Sequence, residues 1–331
     1  MPKLKRILSS FASASLLGML GFAAQAEAVV DIKLGLASGS IPSSIPRVAN
    51  ELGLFEKHGL NVDFVAMQSA STVTSALLSG SVDFMTTSTP EPIFANARGQ
   101  KIRTISALYN GFAAVIVLDN DVVEASGVSP DAPLEERLKV LDGLTLASVS
   151  ATSNFTIGLH CAAEKAGAKV NMTYLEMPSM VAALSRGAVN GFVATAPYYA
   201  ISDMAGEGVP WVNGPKGEFP AGCSVGYALG LHTMEDYAKQ NPEVIARIRA
   251  VFAEFSEVAK AEPETVKAAL KTLYPDIDAA LIDVIYETEA FGFAGAALTV
   301  EGMRNEIEFI KLGETTVQGL DTVDPAVLIL P

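Results

Sequence analysis

Positive charge is scarce in this chain: 23 Lys and Arg stand against 37 Asp and Glu, a formal net charge of −14 over 331 residues. Nucleic-acid binding needs a concentrated basic footprint, so that class is excluded, and the acidity reads as a property of solubility and of partner surfaces. Histidine is nearly as sparse. His58, His160 and His232 are scattered, and none pairs with Cys, Asp or Glu at metal-ligand spacing. Walker and dinucleotide fingerprints are missing as well. No metal, cofactor or catalytic residue is therefore expected. Only Cys161 and Cys223 represent cysteine. An exported chain permits a disulfide, but Cys161 reads as a buried helix position and Cys223 as a strand start. That reading favours two free thiols and leaves the bond open.

What is present begins with Lys3, Lys5 and Arg6, then an apolar run over 7–24 that closes in Ala24-Gln25-Ala26 and Ala26-Glu27-Ala28. A basic start, an apolar middle and an Ala-x-Ala end describe a secretory signal peptide over 1–28, cleaved near Ala26 or Ala28. Ser9, Ser10, Ser13, Ser15 and Gly18 dilute the run, and no stop-transfer flank follows, so a membrane anchor is rejected. No Cys at the cleavage point offers a lipid anchor. The mature protein is expected in the periplasm as a monomer, with no membrane insertion after cleavage. Half of the chain is apolar and 18% is charged, a globular composition whose length suits two lobes.

One phrase occurs twice. Ala76-Leu77-Leu78-Ser79-Gly80-Ser81-Val82-Asp83 runs on to Pro90, and Ala183-Leu184-Ser185-Arg186-Gly187-Ala188-Val189-Asn190 runs on to Pro197. In each copy a helix end meets Gly, then a short strand, a Ser/Thr stop and Pro at the same spacing. Asp83 and Asn190 sit just after the Gly turn, where fixing the backbone is the expected role. Around the first copy, strands are expected over 31–36, 61–66 and 101–108, with Ser71 or Thr72 as the N-cap of the helix ending at Leu78. Around the second, strands are expected over 144–149, 170–176 and 209–212. This βαβ series predicts mostly parallel sheets flanked by helices, an α/β fold of two Rossmann-like lobes. The apolar runs at 113–118 and 224–231 read as strands crossing between lobes. They place lobe 1 at 29–118 plus 225–331 and lobe 2, inserted, at 119–224. From Thr233 the chain turns helical and is expected to pack back on lobe 1.

The stretches Ala49-Asn50-Glu51-Leu52-Gly53-Leu54-Phe55-Glu56-Lys57-His58-Gly59-Leu60-Asn61-Val62, Ala76 to Asp83, and Leu141-Asp142-Gly143 resemble the substrate-binding proteins of ABC importers. The branch is the one that takes nitrate, sulfonates, taurine and thiamine-precursor pyrimidines. The resemblance covers most of the mature chain and thins after about Thr233. It implies the two-hinge periplasmic binding protein fold of type II, closing over a small molecule that is delivered to the transmembrane subunits of a permease. It also implies a site at the loops after the first two strands, at Ser38, Gly39, Ser40, Gln68 and Ser69. The Pro-ending loop contributes Thr87, Ser88 and Thr89, and the hinge Tyr109 and Asn110. The second lobe adds Thr152, Ser153, Asn154, Thr195 and Tyr198. None of these segments carries Lys or Arg, and the nearest cation is Arg47. An anion would rest on hydroxyls and helix N-terminal amides. That argues against nitrate and leaves sulfonates, carboxylates and neutral heterocycles.

Phe112 and Trp211 are read as core, and Tyr109 and Tyr198 as the aromatics offered to a ligand. An enzyme on the same fold is the weaker reading, because related pyrimidine-precursor synthases carry a Cys-rich segment that this sequence does not have. A periplasmic sensor subunit fits the same residues; neighbouring permease and ATPase genes, or a sensor kinase gene, would separate the two.

Overall fold

A computed structural model describes residues 28–67, 69–295, 297–313 and 317–331. The leader expected over 1–28, Ala28 apart, and Gln68 lie outside the described residues. Among the described residues ten strands are present: β1 (Val30–Leu36), β2 (Leu60–Ala66), β3 (Phe84–Thr87), β4 (Ile102–Asn110), β5 (Val115–Asp119), β6 (Thr145–Ser148), β7 (Asn171–Tyr174), β8 (Gly191–Ala194), β9 (Gly208–Asn213) and β10 (Tyr227–Met234). They form two five-stranded sheets, ordered β2-β1-β3-β10-β4 and β7-β6-β8-β5-β9. In each sheet one strand, β10 or β5, runs antiparallel to both neighbours, while β1 and β6 pair in parallel on both sides.

The repeated phrase builds the same corner in both lobes. The helices Ala70–Leu78 and Met177–Ser185 run out at Gly80 (φ +72°) and Gly187 (φ +66°), a left-handed position that glycine adopts without steric cost. The amides of Ser81 and Ala188 then reach back to the carbonyls of Ala76 and Ala183, both at 2.9 Å. Next, the Asp83 carboxylate accepts from the Lys33 amide at 2.8 Å, and the Asn190 side-chain oxygen from the Thr145 amide at 2.9 Å. Both residues thus tie the central parallel strand, β1 or β6, to the turn before its neighbour β3 or β8, the backbone-fixing role read from the repeat.

Four features depart from the expectations. The run at 113–118 yields β5, which pairs in the second sheet, so the chain passes between sheets at 111–114 and again at 214–226. The helix Ala70–Leu78 is capped by Ser69, whose hydroxyl accepts from the Thr72 amide at 3.3 Å, and not by Ser71 or Thr72. Cys223 lies in a turn before β10, and Cys161 is half-buried on the helix Asn154–Lys165. Their Cα atoms are 5.4 Å apart and the sulfurs are bonded, so the pair is a disulfide and not two free thiols. Burial alone could not reveal this, since buried thiols and half-cystines occupy similar places.

The helical tail is anchored by periodic apolar faces. The helix Pro242–Ala261 buries Val244, Ile245, Ile248, Val251, Phe252, Phe255 and Ala259, a 3–4 spacing, and packs on β4 and the helix Leu54–Lys57. Phe55 meets Phe252 and Phe64 edge-on at 5.8 and 6.2 Å. The helix Ala279–Phe293 also covers β4, and the helix Val300–Ile310 packs on the helix Pro90–Ala97 of lobe 1 and on Asn154–Lys165 of lobe 2. Among the described residues no helix is long and apolar enough to cross a membrane.

Candidate functional site

The carboxyl ends of β1, β3, β6 and β8 carry the polar loops, the position at which open α/β sheets bind ligands. The lobes meet there: the Ile41 amide of lobe 1 donates to the Ala196 carbonyl of lobe 2 at 2.9 Å. In the first loop Ser38, Ser40 and Ser43 form a hydroxyl cluster with separations of 2.8–3.1 Å. Gly39 is exposed, but its carbonyl and that of Ser40 accept from the Tyr274 hydroxyl at 3.2 and 3.0 Å. Burial pushes the Tyr274 hydroxyl up to about 12 against the opposing pull of Ser44 and of the Arg47 charge, which places the half-buried Arg47 beside this loop.

The β3 and β8 ends are buried more deeply. Thr87 is 1% exposed, Thr195 2% and Asn154 2%. The Thr87 and Thr195 hydroxyls and the Asn154 amide nitrogen are enclosed with no hydrogen-bond partner in the protein. Leaving a buried polar group unpaired costs about 1–3 kcal/mol, so such atoms call for a partner. Ser88, Thr152 and Tyr198 are half-buried beside them. Ser153 caps its helix, accepting from the Thr156 amide at 3.2 Å, and Ser69, after the carboxyl end of β2, caps its helix in the same way.

Two expected ligand hydroxyls already have partners. Thr89 donates to Glu306 at 2.6 Å, and Glu306 in turn accepts from the amides of Gly226 (2.7 Å) and Tyr227 (3.2 Å) at the return hinge. Tyr109 is 1% exposed and donates to Glu289 at 3.2 Å, where Glu289 also accepts from Tyr199 of lobe 2 at 3.2 Å. Burial raises the carboxyls of Glu306 and Glu289 to about 7 and about 8, against the pull of these donors. Asn110 is half-buried and lines, with Gly111, Phe112, Gly214 and Phe291, a cavity of about 150 Å³ between the two crossings. Phe112 and Trp211 are core, 3% and 0% exposed. Beneath Thr87, His232 faces the Thr87 carbonyl at 3.2 Å and the Thr104 hydroxyl at 3.0 Å, and burial holds it down to about 4.

Glu289 and Glu306 were not singled out from the sequence. Each occupies the apolar register of an amphipathic helix: Ile282, Ile285, Tyr286, Glu289, Phe293 in one, Met303, Glu306, Ile307, Ile310 in the other. A carboxylate in a buried stripe is the signal that could have marked them.

The profile of the NMT1-like family matches residues 25–275. Comparison with curated protein sequences gives no significant match. Among solved structures, the periplasmic aliphatic sulphonate binding protein SsuA from Escherichia coli superposes with a TM-score of 0.66 at 20% identity, covering 90% of this chain and 98% of that one. The alkanesulfonate-binding protein SsuA from Xanthomonas axonopodis pv. citri, bound to MOPS, gives 0.65 at 16%, covering 90% and 99%. The periplasmic nitrate-binding protein NrtA from Synechocystis PCC 6803 gives 0.65 at 17%, covering 91% and 87%. At these identities the likeness is one of fold.

Proposed function

The chain belongs to the NMT1-like family, and from that premise we propose that it is an exported solute-binding protein of an ABC importer. It captures a small organic molecule, a sulfonate or carboxylate, between its lobes in the periplasm and presents it to the permease. No reaction is required of it, only a cleft whose closed form the ligand stabilises. The observation that carries this reading is the set of enclosed, unpartnered donors at the strand ends of both lobes, Thr87 on one and Asn154 and Thr195 on the other. An oxyanion would satisfy them without a guanidinium clamp. Ser38, Ser40, Ser88, Thr152 and Tyr198 border the same region and complete the proposed lining. The named fold neighbours are binding proteins, in keeping with capture over catalysis.

Thermal-shift titration tests the reading with alkanesulfonates, aliphatic and aromatic carboxylates, and pyrimidines as three arms. A true ligand at a hundred times its Kd adds about 2.7 kcal/mol of stability. A pyrimidine response with none from the anions would move the assignment to a neutral heterocycle, and silence in all three arms would remove it. Asn154→Ala and Thr195→Ala should each weaken binding about 10-fold or more, the loss of one hydrogen bond to a charged ligand. Unchanged affinity in both would displace the site.

A further inference from the structure

Glu289 is the one fully buried carboxyl, at 0% exposure, that the described residues hold between the two lobes. It sits on the helix Ala279–Phe293, which packs on β4 of lobe 1. Its two oxygens are shared between lobes: one accepts from Tyr109 of β4, the other from Tyr199 on the lobe 2 helix Tyr198–Met204, both at 3.2 Å. The Ala196 backbone amide, next to the Ile41–Ala196 contact, is a further donor. The geometry points to Glu289 as a positioning residue for lobe closure, one that enters the closed form carrying a proton taken from solvent and so makes capture weaken as pH rises. This rests on the reading that the lobes open and close over a ligand.

The surroundings decide the protonation. Tyr109 and Tyr199 are neutral donors held up by burial, and Asp203, one turn beyond Tyr199, adds negative charge to that side. On the neighbouring helix Pro263–Leu273, Lys267 is turned to Glu264 (3.0 Å) and Glu287 (3.6 Å) and lies 5.9 Å from the Tyr286 ring centre. The helix Pro242–Ala261 meets the same element through neutral groups, the Ser256 hydroxyl and the Ala259 carbonyl. No cation compensates an ionised Glu289 among these partners, and a buried carboxylate without one is costly. Opening the lobes separates Tyr199 and admits water, which returns the carboxyl to its ordinary range. Closure is then favoured fully below about 4.5, the ordinary value, and loses that support as pH rises to about 8, the closed-state value.

Small-angle X-ray scattering of the whole exported chain tests this with no ligand added, at pH 5 and pH 8. The wild type should have the larger radius of gyration at pH 8, its closed-to-open ratio falling by up to about tenfold per pH unit across the window. Glu289→Gln, neutral at every pH and still an acceptor, should stay compact at both. Tyr199→Phe, which removes only the lobe 2 donor, should be more open than the wild type at pH 5. A wild type with equal dimensions at the two pH values, a Gln variant with the wild-type pH response, or a Phe variant as closed as the wild type overturns the assignment. Because no ligand enters the measurement, a protein that responds to a sulfonate but not to pH loses this inference alone. One that responds to pH but to no ligand keeps it.

Discussion

The two lobes share a corner down to single hydrogen bonds, yet their strand ends have been put to different uses. Gly80 and Gly187, Asp83 and Asn190, and the parallel trios β2-β1-β3 and β7-β6-β8 correspond one to one. Past that frame they diverge. Lobe 1 gives its Thr89 to Glu306, its Tyr109 to Glu289, and the Gly39 and Ser40 carbonyls to Tyr274, all on the C-terminal helices or the turn between them. Lobe 2 leaves Thr195 and Asn154 enclosed without protein partners, while lobe 1 leaves Thr87 so. A repeated unit supplies the scaffold; the tail decides which of its hydroxyls stay available.

The comparison breaks most visibly at the disulfide, which only lobe 2 carries. Cys161 and Cys223 are 62 residues apart, and closing a loop of that length removes about 4 kcal/mol of unfolded-chain entropy. Reductant, or Cys161→Ser with Cys223→Ser, should lower the unfolding free energy by that order and the melting temperature with it, with lobe 2 amides losing hydrogen-exchange protection before lobe 1 amides. Uniform loss would mean that the lobes do not unfold separately.

A smaller effect sharpens the likeness. Asp83→Ala and Asn190→Ala each strand one backbone amide and should cost about 1–2 kcal/mol, read as matched shifts in denaturation midpoint. A large inequality would show that the equivalence is one of shape and not of energy. Gly80→Ala and Gly187→Ala should cost about 1 kcal/mol each, the left-handed penalty alone, because a Cβ at either position meets nothing within 4 Å.

The last prediction concerns pH. Neutral His232 is favoured in the fold, so stability drops as pH falls from about 6.5 toward about 4, where the unfolded chain takes the proton first. Glu306 and Glu289 act oppositely: the folded chain holds their protons more tightly, and stability declines as pH rises from about 4.5 toward about 7 and about 8. The two carboxyls outweigh the one imidazole where these limbs overlap, so melting temperature against pH should peak near about 4.5 and decline toward about 8. His232→Gln should steepen the decline between about 4.5 and about 6.5 and leave the range above it unchanged.

The frame was legible because local chemistry dictates it. Gly after an apolar helix end, then Val and Asp or Asn, specifies a turn and a strand start wherever it occurs, and both copies form as read. Thr87, Asn154 and Thr195 were reachable by the same route, since strand ends are ligand sites in such sheets. The partners of Thr89 and Tyr109 were not, because Glu306 and Glu289 lie some 200 residues further on and acquire meaning only when the tail folds back. The placement of β5 in the second sheet was equally hidden: an apolar run names a strand but not its neighbours.

The strand order also dictates a schedule. The second sheet, β5 to β9, is drawn from one continuous stretch, 115–213, whereas the first cannot be finished until β10 arrives, and β4 has no other strand beside it. As the chain emerges from its start, the later-encoded lobe is the first able to complete itself. The earlier-encoded one waits with an open seam between β3 and β4, and its last stitch comes from the far side of its neighbour.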